Sequence, residues 1–276
     1  MLVDHATLFR LSLFLLILLV MLSWESWRPV LRGYSRRQPR WRNNLALVLL
    51  SSGAAALLGP LTAINAASWT QAQGWGLLPL LIGNPFALIV SAIVLLDMAI
   101  YAQHRLAHRL SWFWRLHRVH HADPGFDVTT AVRFHPLEIL LSILIKTVVI
   151  LILGAPVVAV ILFEILLNGM ALFNHGNVNL PDRAEKIVRG LWVTPAMHRI
   201  HHSQRAREHH SNFGFSLSIW DRIFNTYTPN AQASPIRIGL RQYPDEAQNS
   251  RLWALLRLPF RSVPRVVRNL RPVQRP

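Results

Sequence analysis

Apolar residues fall in long runs along this chain, separated by short polar segments that are rich in arginine. A hydrocarbon core ~30 Å thick takes about 20 helical residues, so residues 8–24 predict a first membrane helix. Trp24 and Trp27 fit an interfacial belt at its end, and Arg10 can snorkel near its start. A retained span is expected rather than a cleaved signal peptide, since no basic leader and no small-residue cleavage site accompany the run. Next come Arg28, Arg32, Arg36, Arg37, Arg40 and Arg42, which read as a cytoplasmic loop. No side chain between Arg42 and Asp97 is charged. Residues 45–67 therefore predict a return across the membrane, and residues 77–96 a third crossing. Residues 137–173 are apolar again and are broken by Gly154-Ala155-Pro156, which predicts a helical hairpin. Its arms carry Lys146 and Glu164 and are short enough that full crossing and re-entry both stay open.

The pattern predicts an all-α, multi-pass transmembrane bundle of about four or five membrane segments, with a cytosolic helical cap. Residues 1–96 would be amino-terminal membrane helices, and residues 97–228 a catalytic unit that includes the hairpin. Residues 229–276 would form a basic tail on the membrane surface. The amino terminus is then outside, in a membrane that arginine-over-lysine usage suggests is a bacterial inner membrane.

Composition agrees: 52% of the residues are hydrophobic and only 15% charged, unlike a soluble globule. The net charge of +16 would suggest nucleic acid in a soluble protein. Here the arginines flank apolar runs, where positive-inside bias and anionic lipid explain them, and no recognition motif accompanies them. Nucleic acid is not an expected partner. Cysteine is absent, which excludes disulfides, thiolate zinc sites and iron–sulfur clusters.

Histidine changes the picture further. His104 and His108 are four apart, and His117, His120 and His121 follow at i, i+3, i+4. The triplet spacing recurs at His198, His201 and His202. Residues three and four apart share a helix face, so each group can aim its imidazoles at one point. Neutral imidazole is a common ligand of iron, zinc, copper and nickel. One first-row ion cannot use eight imidazoles, so two ions are the simpler expectation. If both triplets serve one site, the crossings between them must be even in number, as a hairpin provides. His175, just after the hairpin, returns to the same face as a further ligand. His135, in RFHPLE, is open between ligand, outer-shell donor and loop residue. His209 and His210 follow an Arg/Glu-rich turn and read as solvated. Asp97, Glu138, Asn174, Asn212 and Asp221 are candidates to orient metal-bound imidazoles.

The zinc-protease motif needs glutamate after its first histidine, and Arg105, Arg118 and Arg199 stand there instead. No dinucleotide fingerprint, P-loop or nucleophile elbow appears. Redox chemistry with iron and O2 beside the membrane is the natural remainder. A hydrolytic or isomerising metalloenzyme is one alternative. A membrane metal transporter is another, although transporters place ionisable ligands near the bilayer midplane rather than beyond helix ends.

From Asp97 to Thr226 the chain resembles the fatty acid hydroxylase / sterol desaturase superfamily of membrane di-iron oxidoreductases. Asp97, Tyr101, His104, Arg105 and His108 look like its D-x3-Y-x2-HR-x2-H segment. HRVHH and TPAMHRIHHS resemble its two HxxHH boxes, RFHPLE its R-x-HPLE segment, NHGN its isolated Asn-His motif, and NFG-x3-SIWD-x2-FNT its closing segment. Asn225 stands where many members have glycine. The resemblance implies two iron ions held by the pair, both triplets and His175, with His135 less certain. It implies O2-dependent hydroxylation or desaturation of a lipid, such as a fatty acyl chain or a sterol-like molecule, in lipid biosynthesis. Electrons would come from a separate electron-transfer protein or small reductant.

Overall fold

The computed structural model describes residues 6–32, 37–59, 61–232 and 236–262. The predicted surface tail from residue 263 onward, and Arg36, lie outside the described residues. Within the described residues the chain is helical, with no strand and two isolated bridges, Trp192 to Leu217 and Ser203 to Ile238.

Helices α1 (Ala6–Trp27), α2 (Arg37–Ala56), α3 (Ala63–Gln73), α4 (Leu77–Leu81) and α5 (Pro85–Arg109) lead to the first histidines. Asn84 caps α5 by accepting from the Ala87 N–H, and Pro85 occupies its first turn, where a missing N–H costs nothing. One helix therefore carries the third apolar run straight into His104 and His108. After α6 (Ser111–His121) comes a 3-10 turn (Val128–Val132), then the hairpin of α7 (Pro136–Leu153) and α8 (Val157–Asn174). Gly154 closes α7 at φ +64°, a left-handed conformation that suits glycine. Short helices follow: α9 (Asp182–Leu191), α10 (Pro195–His201), α11 (Ala206–His209), α12 (Ile219–Ile223), α13 (Glu246–Asn249) and α14 (Leu252–Arg257).

Four described helices, α1, α5, α7 and α8, are long and apolar enough to cross a membrane. The expected crossing over residues 45–67 is not one helix. It divides between α2 and α3, with Gly59 at φ +52° in the turn between them. Pro60 follows, and a proline disfavours helix in the residue before it. Even so, the α2–α3 pair traverses the whole bundle. At one end, Arg40 of α2 meets Asp123 and Asp127 beside the histidines. At the other, Trp75 Nε1 donates to the Leu151 carbonyl at 3.0 Å, and Gly76 lies against Gly154 in the hairpin turn. The main apolar core joins α3, α5, α7 and α8 through Ala66, Ala67, Leu96, Ile150, Val160 and Phe163. Small residues on α3 let these backbones approach.

Several arginines expected at the lipid surface are buried instead. Arg40 is 1% exposed and Arg118 and Arg133 are fully buried. Arg133 donates to the Val119 and Asn249 carbonyls and to Asn44, and Arg118 donates to Tyr243 Oη and the Leu258 carbonyl. They tie the stretch after α6, and the α13–α14 region, to α2 and α6. Leu240, Leu255 and Leu258 pack with Leu47 and Val119, so this part of the carboxy-terminal region is core rather than surface. Arg10 does not snorkel outward either: it pairs with Glu164.

Candidate metal centre

Four elements bring the histidines together. The last turns of α5 supply His104 and His108, α6 supplies the first triplet, and α10 with its C-terminal cap supplies the second. His175 is the C-cap of α8. Thr194 caps α10 through the Met197 N–H, and Pro195 starts it, so a seven-residue helix is rigid enough to aim three rings.

The nine rings form two adjacent groups. His104, His108, His117, His121 and His201 offer donor atoms that all lie within 4.8 Å of one another, and so do His120, His175, His198 and His202. Every one of these rings is buried. His121 and His202 stack across the boundary at 4.4 Å between centroids.

Tautomers follow from the outer ring atoms. His104 Nδ1 contacts the Phe213 carbonyl at 2.8 Å, His175 Nδ1 the Ala171 carbonyl at 2.8 Å, and His201 Nδ1 the Ser211 carbonyl at 2.7 Å. A carbonyl only accepts, so each Nδ1 carries the proton and each Nε2 presents a lone pair inward. His117 Nδ1 likewise donates to Glu138 Oε1 at 2.7 Å. The inner nitrogens then crowd together: Nε2 of His175 is 3.0 Å from that of His198 and 3.1 Å from that of His120. In the other group Nε2 of His121 is 3.1 Å from that of His108 and 3.2 Å from that of His117. The Nε2 atoms of His104 and His201 are buried with no hydrogen-bond partner. Converging lone pairs in a dry pocket repel unless a cation sits among them, so the residues fit one ion per group. An all-imidazole donor set suits iron, zinc or copper.

Burial, then neighbouring imidazoles, hold His120, His121, His198, His201 and His202 well below the ordinary histidine pKa. Burial takes His175 down to about 4. These rings are neutral at pH 7, the protonation state that ligation needs.

His135 joins neither group. Its Nδ1 accepts from the Leu137 N–H at 3.2 Å, so the ring caps α7. Of the five candidate orienting residues, Glu138 alone is hydrogen-bonded to one of the nine rings. Asp97 accepts from Leu217 N and Trp220 Nε1, and Asn174 donates to the Phe215 carbonyl. Asp221 accepts from Phe213 N, Gly214 N and Thr226 Oγ1. Asn212, at φ 53°, bonds to Met197 and Thr228. All four hold the loop whose carbonyls fix His104 and His201. Those carbonyls have no sequence signature, and neither does His209. Expected to be solvated, His209 is 8% exposed, 4.5 Å from the His121 ring and 4.8 Å from that of Trp114.

Below the rings lies a cavity of about 590 Å³. His104, His117, His120 and His198 line its histidine end, and Phe14, Ile100, Ile139 and Leu167 its apolar walls.

A sequence model described as fatty acid hydroxylase matches residues 89–226, half of the chain. Ornithine lipid hydroxylase OlsE of Rhizobium tropici is 30% identical over 55% of this chain and 45% of its own length. Human alkylglycerol monooxygenase is 29% identical over 82% of this chain and 47% of its own length. Rat cholesterol 25-hydroxylase is 25% identical over 50% of this chain and 46% of its own. The chain thus spans under half the length of these relatives, and no solved structure matches it. The matched segment contains all nine clustered histidines, and the chain belongs to the fatty acid hydroxylase family, within the fatty acid hydroxylase / sterol desaturase superfamily.

Proposed function

We propose that this protein is an O2-dependent di-iron membrane monooxygenase that hydroxylates a lipid. The observation that carries the reading is the position of two all-imidazole groups at one end of a largely apolar cavity among membrane-length helices. His104, His108, His117, His121 and His201 would hold one iron, and His120, His175, His198 and His202 the other. When bound, iron supplies the oxidation of an unactivated C–H bond: C–H, O2, two electrons and two protons give C–OH and water.

The chain's own contribution is orientation and exclusion of water. Phe14, Ile139 and Leu167 hold an acyl chain or ring against the histidine end. Carbonyls of Phe213, Ser211 and Ala171, with the Glu138 carboxylate, keep protons on Nδ1 and lone pairs facing inward. Electrons come from a separate carrier. The relatives named hydroxylase or monooxygenase support hydroxylation over desaturation.

Lipid extracts from cells with and without the protein, grown under isotopically labelled O2, test the reading. A lipid gaining one labelled oxygen atom is expected. Loss of two hydrogens without label gain would indicate desaturation, and turnover independent of O2 with bound zinc would favour hydrolysis.

A further inference from the structure

The cavity does not end in hydrocarbon. At its far end from the histidines it is lined by Arg10, whose guanidinium is 2.6 Å from Glu164 and whose Nε is buried without a partner. Lys146 pairs with the other oxygen of the same Glu164. Two cations therefore share one carboxylate, and the Glu164 side chain is only 8% exposed. Three helices contribute one charge each, from α1, α7 and α8.

Helix geometry measures the depth of this cluster. Glu164 and His175 are eleven residues apart on α8, or about 16 Å at 1.5 Å per residue. On α7, Lys146 is eight residues from Glu138, the partner of His117, or about 12 Å. Glu164 is also seven residues past the start of α8, about 10 Å from the hairpin turn. The cluster lies inside the membrane-length part of the bundle. Ionisable groups at such depth are costly, so they pair with one another and mark binding paths. This cluster is left one positive charge in excess, and Arg10 is its member that borders the cavity. An entering anion would complete it.

We propose that Arg10, Lys146 and Glu164 form an acid-recognition subsite for a single-chain lipid bearing an anionic group, whose oxidised carbon sits about 12–16 Å away at the histidines. The inference rests on the hydroxylase reading for the second half of that statement only. Arg10 donates to the incoming acid, Lys146 adds charge, and Glu164 holds both cations in place while limiting their pull. Midway, buried Gln103 Oε1 and Ser51 Oγ have no partner and border the same cavity, so the path between subsite and histidines is not wholly apolar. Such a substrate lies with its acid directed away from the histidine end of the bundle.

The test is equilibrium binding of palmitate, hexadecyl phosphate and hexadecanol to the full chain in phosphatidylcholine nanodiscs, without turnover. One or both acids should bind roughly tenfold tighter than the alcohol, the worth of a charge-assisted hydrogen bond. Whichever acid is preferred identifies carboxylate or phosphate as the recognised group. Arg10→Gln should abolish the preference, Arg10→Lys should retain most of it, and Glu164→Gln should strengthen it. Equal binding of acids and alcohol by the wild-type chain, or a preference that survives Arg10→Gln in protein of wild-type metal content, overturns the subsite. Because binding is read without chemistry, acid preference in a chain that incorporates no oxygen would overturn the catalytic reading alone.

Discussion

Glu138 shows how a single side chain decides the chemistry of a ring. Its carboxylate accepts a hydrogen bond from His117 Nδ1–H, which keeps the proton there and leaves the Nε2 lone pair facing the other rings. Glu138→Ala should lower metal affinity about 10- to 100-fold, the usual loss for such an orienting partner, while Glu138→Gln should lose less. Titrating metal into the stripped variants measures both. Protonation sets a second limit. Burial depresses the pKa of His175 to about 4 and of His209 to about 3, and that of the five other rings well below normal. The unfolded chain binds protons near the ordinary value of about 6.5 while the folded one does not, so stability is full above that pH and is lost as pH falls below it. Thermal melts of the metal-free chain between pH 8 and pH 5 should show falling stability on acidification, and a flat profile would contradict buried neutral rings. The clustering of the nine histidines was legible because their spacing is specific. His135 was ambiguous because a helix cap and a ligand look alike beside proline. His209 was misread because its neighbours in sequence are charged, and only tertiary packing brings His121 and Trp114 to it.

Elements were legible where a run was long and its breaker strong. The Gly154 turn is the clearest case: its positive φ follows from the residue, and a Cβ there would strike the Trp75 carbonyl and Gly76. Gly154→Ala should therefore destabilise the bundle by at least ~1 kcal/mol, read as a lower melting temperature in nanodiscs. An unchanged melting temperature would mean that the far end is not packed as described. The division of residues 45–67 was not legible, because uninterrupted apolar composition hides a break that needs only Gly59 and Pro60. Buried arginines escaped for a related reason. Arg40 meets Asp123 and Asp127 more than eighty positions away, and in sequence it is indistinguishable from a lipid-facing loop arginine. Burial raises the Asp123 pKa, and Arg40 with Arg133 more than offsets this, so the carboxylate stays ionised.

Across the whole molecule, the α7–α8 hairpin brings the chain back to the end it left, and all nine rings gather there. The charged cluster of α1, α7 and α8 lies toward the other end, with the cavity between them. Under the proposed function, this layout would separate recognition of a substrate's polar group from oxidation of its chain. The separation depends on both histidine groups holding metal. His120→Ala and His201→Ala each remove an imidazole from a different group, so each should abolish activity and reduce bound metal while membrane insertion persists. The most direct measurement is metal analysis of the purified full chain, combined with anomalous diffraction to locate the ions. The account predicts two irons per chain, one among His104, His108, His117, His121 and His201 and one among His120, His175, His198 and His202. A single ion, or ions located away from these rings, would contradict it.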